Sequence, residues 1–141
     1  MIRTAFATWR GSGLAGKGRL TTESAELQEV PFGFRERFGE QAVYTNPEEL
    51  LAAAQAACFV MKLSFILNEA GYASDLLRCD AAIKLENGYL SELHLSITAQ
   101  VPVIEALVFA DHVAETIRTC PISRVLVLKI TYSLTLNGPT P

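Results

Sequence analysis

Residues 45 to 65 read TNPEELLAAAQAACFVMKLSF. Asn46 is a capping residue, Pro47 suits a first helical position, Glu49 supplies the carboxylate of a capping box, and Gly71 offers a stop. These signals predict one long helix from about Pro47 to Ala70. Its apolar residues, among them Leu50, Leu51, Phe59, Val60, Met61, Leu63, Phe65, Ile66 and Leu67, occupy nearly every side. Such a helix has to be covered all round, whereas one sheet covers one face. A second copy of the chain is the expected cover, which predicts an intimate homodimer with paired central helices.

The flanking sequence is rich in strand signals. RTAFATW (3–9), KGRLTTES (17–24) and FGFRERF (32–38), separated by polar or Gly-rich turns, predict a short antiparallel meander before the helix. After it, RCDAAIKLENGYLSELHLSITAQV (78–101) holds Asn87-Gly88 between two alternating runs, the signature of a tight hairpin. Ile83 and Leu85 share one face, as do Leu90 and, beyond a one-residue bulge, Leu93, Leu95 and Ile97. Residues 103–120 have the apolar spacing of an amphipathic helix, and RVLVLKITYSLTL (124–136) reads as a final strand. The expected order is β-β-β-α-β-β-α-β: an α+β fold in one domain over 1–141, with an antiparallel sheet packed on the long central helix.

A net charge of −3, with 12 Lys and Arg spread along the 141 residues, leaves no basic patch for a phosphate backbone, so nucleic acid is not an expected partner. The N-terminal MIRTAFATWRGSG lacks the apolar core of a signal peptide, which points to the cytoplasm. Gln55 and Lys62 interrupt the most apolar segment, so no membrane association is expected. Cys58, Cys79 and Cys120 are too few and too scattered for a disulfide scaffold. Besides these, His94 and His112 are the only histidines, and no C-x-x-C spacing occurs, so neither a metal site nor a bound cofactor is expected.

Cysteine chemistry remains open. Cys58 reads either as a small buried hydrophobe or as a reactive thiol. Cys120 precedes Pro121 and a short helical run, PISRVL, where a helix dipole and unpaired N–H groups favour a thiolate. Arg37 and Glu48 flank the entry to the long helix, either as solvated surface charges or as a pair that aims a guanidinium at a sulfur. Glu48 and Cys58 are ten residues apart, about 15 Å along a helix axis. Antiparallel pairing of two central helices would therefore let Arg37 and Glu48 of one chain serve Cys58 of the other.

PFGFRERF, TNPEELLAAAQAACF and CPISRVL, at these separations and in this order of elements, closely resemble the osmotically inducible protein C (OsmC) family, related to the organic hydroperoxide resistance (Ohr) proteins. The resemblance spans nearly the whole chain. It implies a cysteine-based peroxidase that reduces organic hydroperoxides to alcohols in oxidative stress defence, working as an intertwined homodimer with its active sites at the interface. Residue by residue it implies that Cys58 is the peroxidatic cysteine, Cys120 the resolving cysteine, Glu48 the acid of the motif and Arg37 the arginine of the OsmC branch. Arg19 is the counterpart the Ohr branch would use. An external dithiol, of lipoyl or similar type, is the implied electron donor. Tyr44 stands where glycine is frequent, and Gln55 where His or Tyr is frequent; Cys79 matches no family motif and reads as a strand core residue.

Two other functions fit the same residues. One is a non-catalytic dimeric module binding a lipid or other small molecule, with the cysteines as packing. The other is a thiol redox sensor. Phe32, Phe34, Phe59 and Met61 are the candidate lining of an apolar pocket favouring organic over hydrogen peroxide.

Overall fold

A computed structural model describes residues 1–38 and 43–139. It separates into two compact units, Met1–Leu50 and Leu51–Pro141. The first holds strands β1 (Ala5–Arg10), β2 (Lys17–Thr22) and β3 (Val30–Phe32), helix α1 (Arg35–Phe38) and the first turn of α2 (Pro47–Glu69). The second holds the rest of α2, then β4 (Leu76–Glu86), β5 (Tyr89–Gln100), α3 (Ala106–Thr119), α4 (Pro121–Val125) and β6 (Lys129–Leu136).

The predicted order of long elements and the α+β class are both present. The sheet itself differs in detail: among the described residues the strands form two three-stranded sheets, ordered β1-β2-β3 and β4-β5-β6. The first is antiparallel throughout. In the second, β4 and β5 are antiparallel, but β6 runs parallel to β5, from Glu92 opposite Lys129 to Ala99 opposite Leu136. Helices α3 and α4 lie between β5 and β6 in the chain, and a crossover of that length lets a strand return in the same direction.

A second correction concerns residues 32–38, expected as strand. Strand β3 ends at Phe32, and Arg35–Phe38 closes a helical turn. The Phe34 and Phe38 rings pack at a tilt with centroids 5.0 Å apart, whereas four residues of strand would span about 13 Å. Arg37 is thus on α1, not at a strand end.

The ends of α2 match the sequence signals in most details. Asn46 Oδ1 accepts from the Glu49 N–H at 2.8 Å, the side-chain cap. Asn46 Nδ2 donates to the Glu36 carbonyl at 3.2 Å, which ties the end of α1 to the start of α2. The Glu49 carboxylate accepts from the Thr45 hydroxyl at 2.9 Å. At the other end Gly71 takes φ +87°, and the N–H groups of Tyr72 and Gly71 bond to the Leu67 and Asn68 carbonyls, a Schellman stop.

The hairpin is also as read. Asn87 and Gly88 both have positive φ, the conformation a tight I′ turn requires. Lys84 pairs with Glu92 and Leu85 with Leu90, so Ser91 is the bulged residue that keeps the apolar faces in phase.

The second unit owns the core. Phe59, Leu63 and Leu67 of α2, Leu93, Leu95, Ile97 and Ala99 of β5, and Phe109 and Val113 of α3 form one buried cluster. Alternate residues of β5 reach it, as the pleat demands. The other side of α2 stays open, with Met61 60% and Phe65 66% exposed. At 23 residues and a mean hydropathy of 1.9 over its most apolar window, α2 is long and apolar enough to cross a bilayer. Its Phe59–Leu63–Leu67 stripe, however, is part of the buried cluster.

Asn46→Ala removes the cap and the link to α1; an equilibrium urea titration should show a loss of about 1 kcal/mol. Asn46→Asp keeps the acceptor for Glu49 N–H and should recover most of that loss.

Candidate active site: two thiols in contact and a guanidinium held by a carboxylate

In the second unit, Cys58 lies on α2 and Cys120 is the residue between α3 and α4. Cys120 has extended backbone angles, φ −63° and ψ 124°, serving at once as C-cap of α3 and N-cap of α4. Pro121 at the first position of α4 makes this break sharp, because proline fixes its own φ and disfavours helix in the residue before it. The sharp turn holds the Cys120 sulfur 2.8 Å from that of Cys58, across 62 positions of sequence. Both thiols are free. A disulfide bond, at about 2.05 Å, is therefore only about 0.8 Å of approach away.

The two sulfurs differ in access and in proton affinity. Cys58 is half-buried and Cys120 fully buried. Burial pushes the Cys58 thiol up, and its hydrogen bond with Cys120 pushes it further. Burial opposes ionisation of Cys120 too, but contact with Cys58, the N–H groups of Ser123 and Ile122 and the Ser123 hydroxyl outweigh it, so this thiol falls below its ordinary value. The first proton lost by the pair therefore leaves Cys120 more readily than Cys58. Cys79, on β4, stands apart from this chemistry: burial, then the charges of Asp80 and Cys120, push it up to about 12.

In the first unit, the Arg37 guanidinium and the Glu48 carboxylate form an ion pair. Arg37 Nε lies 3.1 Å from both carboxylate oxygens, and Nη2 bonds to Oε1. Burial alone would raise the Glu48 pKa; the Arg37 hydrogen bond and charge, with Glu48's place at the helix start, bring it below the usual carboxylate range. Arg37 also borders an apolar cavity of about 250 Å³ whose walls include Trp9, Phe32, Phe34 and Pro47. Arg19 does not line that cavity. Its Nη1 donates to the Glu29 carbonyl at 2.8 Å, and it borders a second, more polar space of about 280 Å³.

The expected residues thus form two pairs, Cys58 with Cys120 and Arg37 with Glu48. Each pair lies within its own unit. Of the apolar candidates, Phe32 and Phe34 line the cavity, Phe59 is fully buried in the core and Met61 is exposed on α2. Two residues went unread in the sequence. Trp9 walls the cavity and packs on Phe32 at 5.8 Å. Ser123, at the third position of α4, accepts a hydrogen bond from Gln55 Nε2. Among the described residues, no three His, Cys, Asp or Glu cluster in a way that could hold a metal ion.

A two-sheet α+β chain that brings two thiols into contact is the arrangement to set beside known proteins. Residues 39–135 match the family model for OsmC-like protein. Over 137 residues the chain is 39% identical to peroxiredoxin OsmC of Escherichia coli, with 94% of each covered. Solved structures share the fold: an organic hydroperoxide resistance protein from Elizabethkingia anophelis, at TM-score 0.70 and 23% identity, covers 99% of both chains. An OsmC-like protein from Mycoplasma pneumoniae reaches TM-score 0.77 at 16% identity, covering 98% of this chain and 99% of its own. The chain belongs to the OsmC-like family.

The depressed pKa of Glu48 gives a pH dependence with a definite sign. The folded state favours the ionised carboxylate, so the pair's stabilisation is fully present above the unfolded value of about 4.3. It disappears as pH falls through the lower folded value. Denaturant titrations from neutral to acid pH should show this loss, and Glu48→Gln should reduce the slope.

Proposed function

We propose that the protein is a cysteine-based peroxidase that reduces organic hydroperoxides, with Cys58 as the attacking sulfur and Cys120 as the resolving one. The observation that carries this reading is the 2.8 Å contact between a half-buried and a fully buried thiol. A peroxide can approach the first; the second is placed to meet the first. The names of the relatives, a peroxiredoxin and organic hydroperoxide resistance proteins, support the same reading.

In the mechanism, the Cys58 thiolate attacks the terminal oxygen of R–O–O–H. The O–O bond breaks, Cys58 becomes a sulfenic acid, and the alkoxide leaves and takes a proton to become an alcohol. Cys120 then attacks the Cys58 sulfur: the S–S bond forms, the S–O bond breaks, and the oxygen departs as water. An external dithiol reduces the disulfide by exchange and is itself oxidised. The chemistry runs on sulfur and needs no prosthetic group.

Arg37 supplies what the cysteine pair lacks, a positive charge that draws the thiolate onto Cys58 and stabilises charge on the departing oxygen. Glu48 fixes that guanidinium. The apolar walls beside Arg37 suit an alkyl group better than hydrogen peroxide. Glu48 and Cys58, about 15 Å apart on one helix, are brought to one site by a second chain. The open Met61 and Phe65 side of α2 supports such a homodimer, as does the lack of a buried apolar core in the first unit among the described residues.

Mixing two inactive variants tests the shared site. Cys58→Ser should abolish turnover of an alkyl hydroperoxide with a dithiol donor, and Arg37→Met should lower kcat/KM by about 10²-fold or more. After subunit exchange, one heterodimer site pairs an intact Cys58 with an intact Arg37, so activity should return. Inactivity of the mixture despite demonstrated exchange would place both groups in one chain.

A further inference from the structure

Gln55 lies on α2, three residues before Cys58, with no exposure to solvent. Its Nε2 donates to the Ser123 hydroxyl oxygen at 2.8 Å, while its Oε1 is buried without a hydrogen-bond partner. An amide held in this way costs stability for the unmade bond, where methionine of similar length would leave no polar atom unpaired. Packing alone therefore does not account for Gln55. Its made bond leads directly toward the sulfurs: Ser123 is itself buried and stands three residues beyond Cys120 on α4. A serine oxygen that accepts from an amide retains its own proton to donate, and Ser123 is the third residue of the helix whose N-cap is Cys120, one turn from that sulfur. The polar sequence runs Gln55, Ser123, Cys120, Cys58, with 2.8 Å at its first and last links.

We propose that Gln55 is a positioning residue: it orients the Ser123 hydroxyl so that its proton points at Cys120, holding this sulfur against Cys58 ready to close the disulfide. The catalytic consequence rests on the peroxidase reading given above. In the resolving step, Cys120 attacks the Cys58 sulfenic acid, and a donor aimed at its sulfur makes the attacking thiolate accessible at lower pH. Gln55 touches neither peroxide nor the reacting sulfurs, so its influence passes through Ser123.

The test is a thiolate titration that needs no peroxide. In the full-length Cys58→Ser protein, where the introduced side chain keeps a hydroxyl beside Cys120, ultraviolet thiolate absorbance follows Cys120; Cys79 titrates far higher, at about 12. Adding Gln55→Met or Ser123→Ala should raise the midpoint by about one pH unit, and Ser123→Thr, which keeps the hydroxyl, should restore it. With Cys58 present, Gln55→Met should slow conversion of sulfenic acid to disulfide about tenfold at neutral pH, without slowing sulfenic acid formation. An unchanged midpoint in folded Gln55→Met overturns the proposal. Should that variant fail to fold, equal midpoints for Ser123→Ala and Ser123→Thr overturn it instead. A shifted midpoint in a protein inert to hydroperoxides would keep the positioning role and refute the peroxidase.

Discussion

The contact between the Cys58 and Cys120 sulfurs is the constraint around which the second unit is organised. One sulfur rides on a capped 23-residue helix whose buried stripe fixes its rotation against the core. The other occupies a single extended residue between two helices, made sharp by Pro121. Neither element alone brings the sulfurs together. Packing of α2, α3 and β5 into one apolar cluster does so, and spends part of that cluster's stability on two polarisable groups and a buried glutamine.

That contact has an electrostatic consequence. Burial and the neighbouring sulfur disfavour ionisation of Cys58, while contact with Cys58 and the helix-start N–H groups favour that of Cys120. The first unit carries a guanidinium, Arg37, held by Glu48 beside an apolar cavity, and in the proposed mechanism it is the charge that favours the Cys58 thiolate.

Much of this was legible in the residues. The cap at Asn46, the Gly71 stop, the Asn87-Gly88 turn and the bulge before Leu93 all act through local geometry, and each is found where the pattern placed it. The direction of β6 was not legible, because a strand's alternation is the same whether its neighbour runs parallel or antiparallel. Residues 32–38 misled for a related reason: aromatic residues at even positions suit a strand face, yet Phe34 and Phe38 also suit a helical turn. Cys58, Cys120, Arg37 and Glu48 stood out as candidates, but their pairwise contacts are tertiary facts. Gln55 illustrates the remainder, since its value lies in a bond to a residue 68 positions away.

The central claim is that Cys58 and Cys120 of one chain form a single redox unit. The most direct measurement is peptide mapping of the protein after one equivalent of an alkyl hydroperoxide, without reductant. The account predicts one intramolecular Cys58–Cys120 disulfide, with Cys79 still a thiol. Oxidation of Cys58 beyond sulfenic acid while Cys120 stays reduced, or a disulfide between other partners, would contradict it.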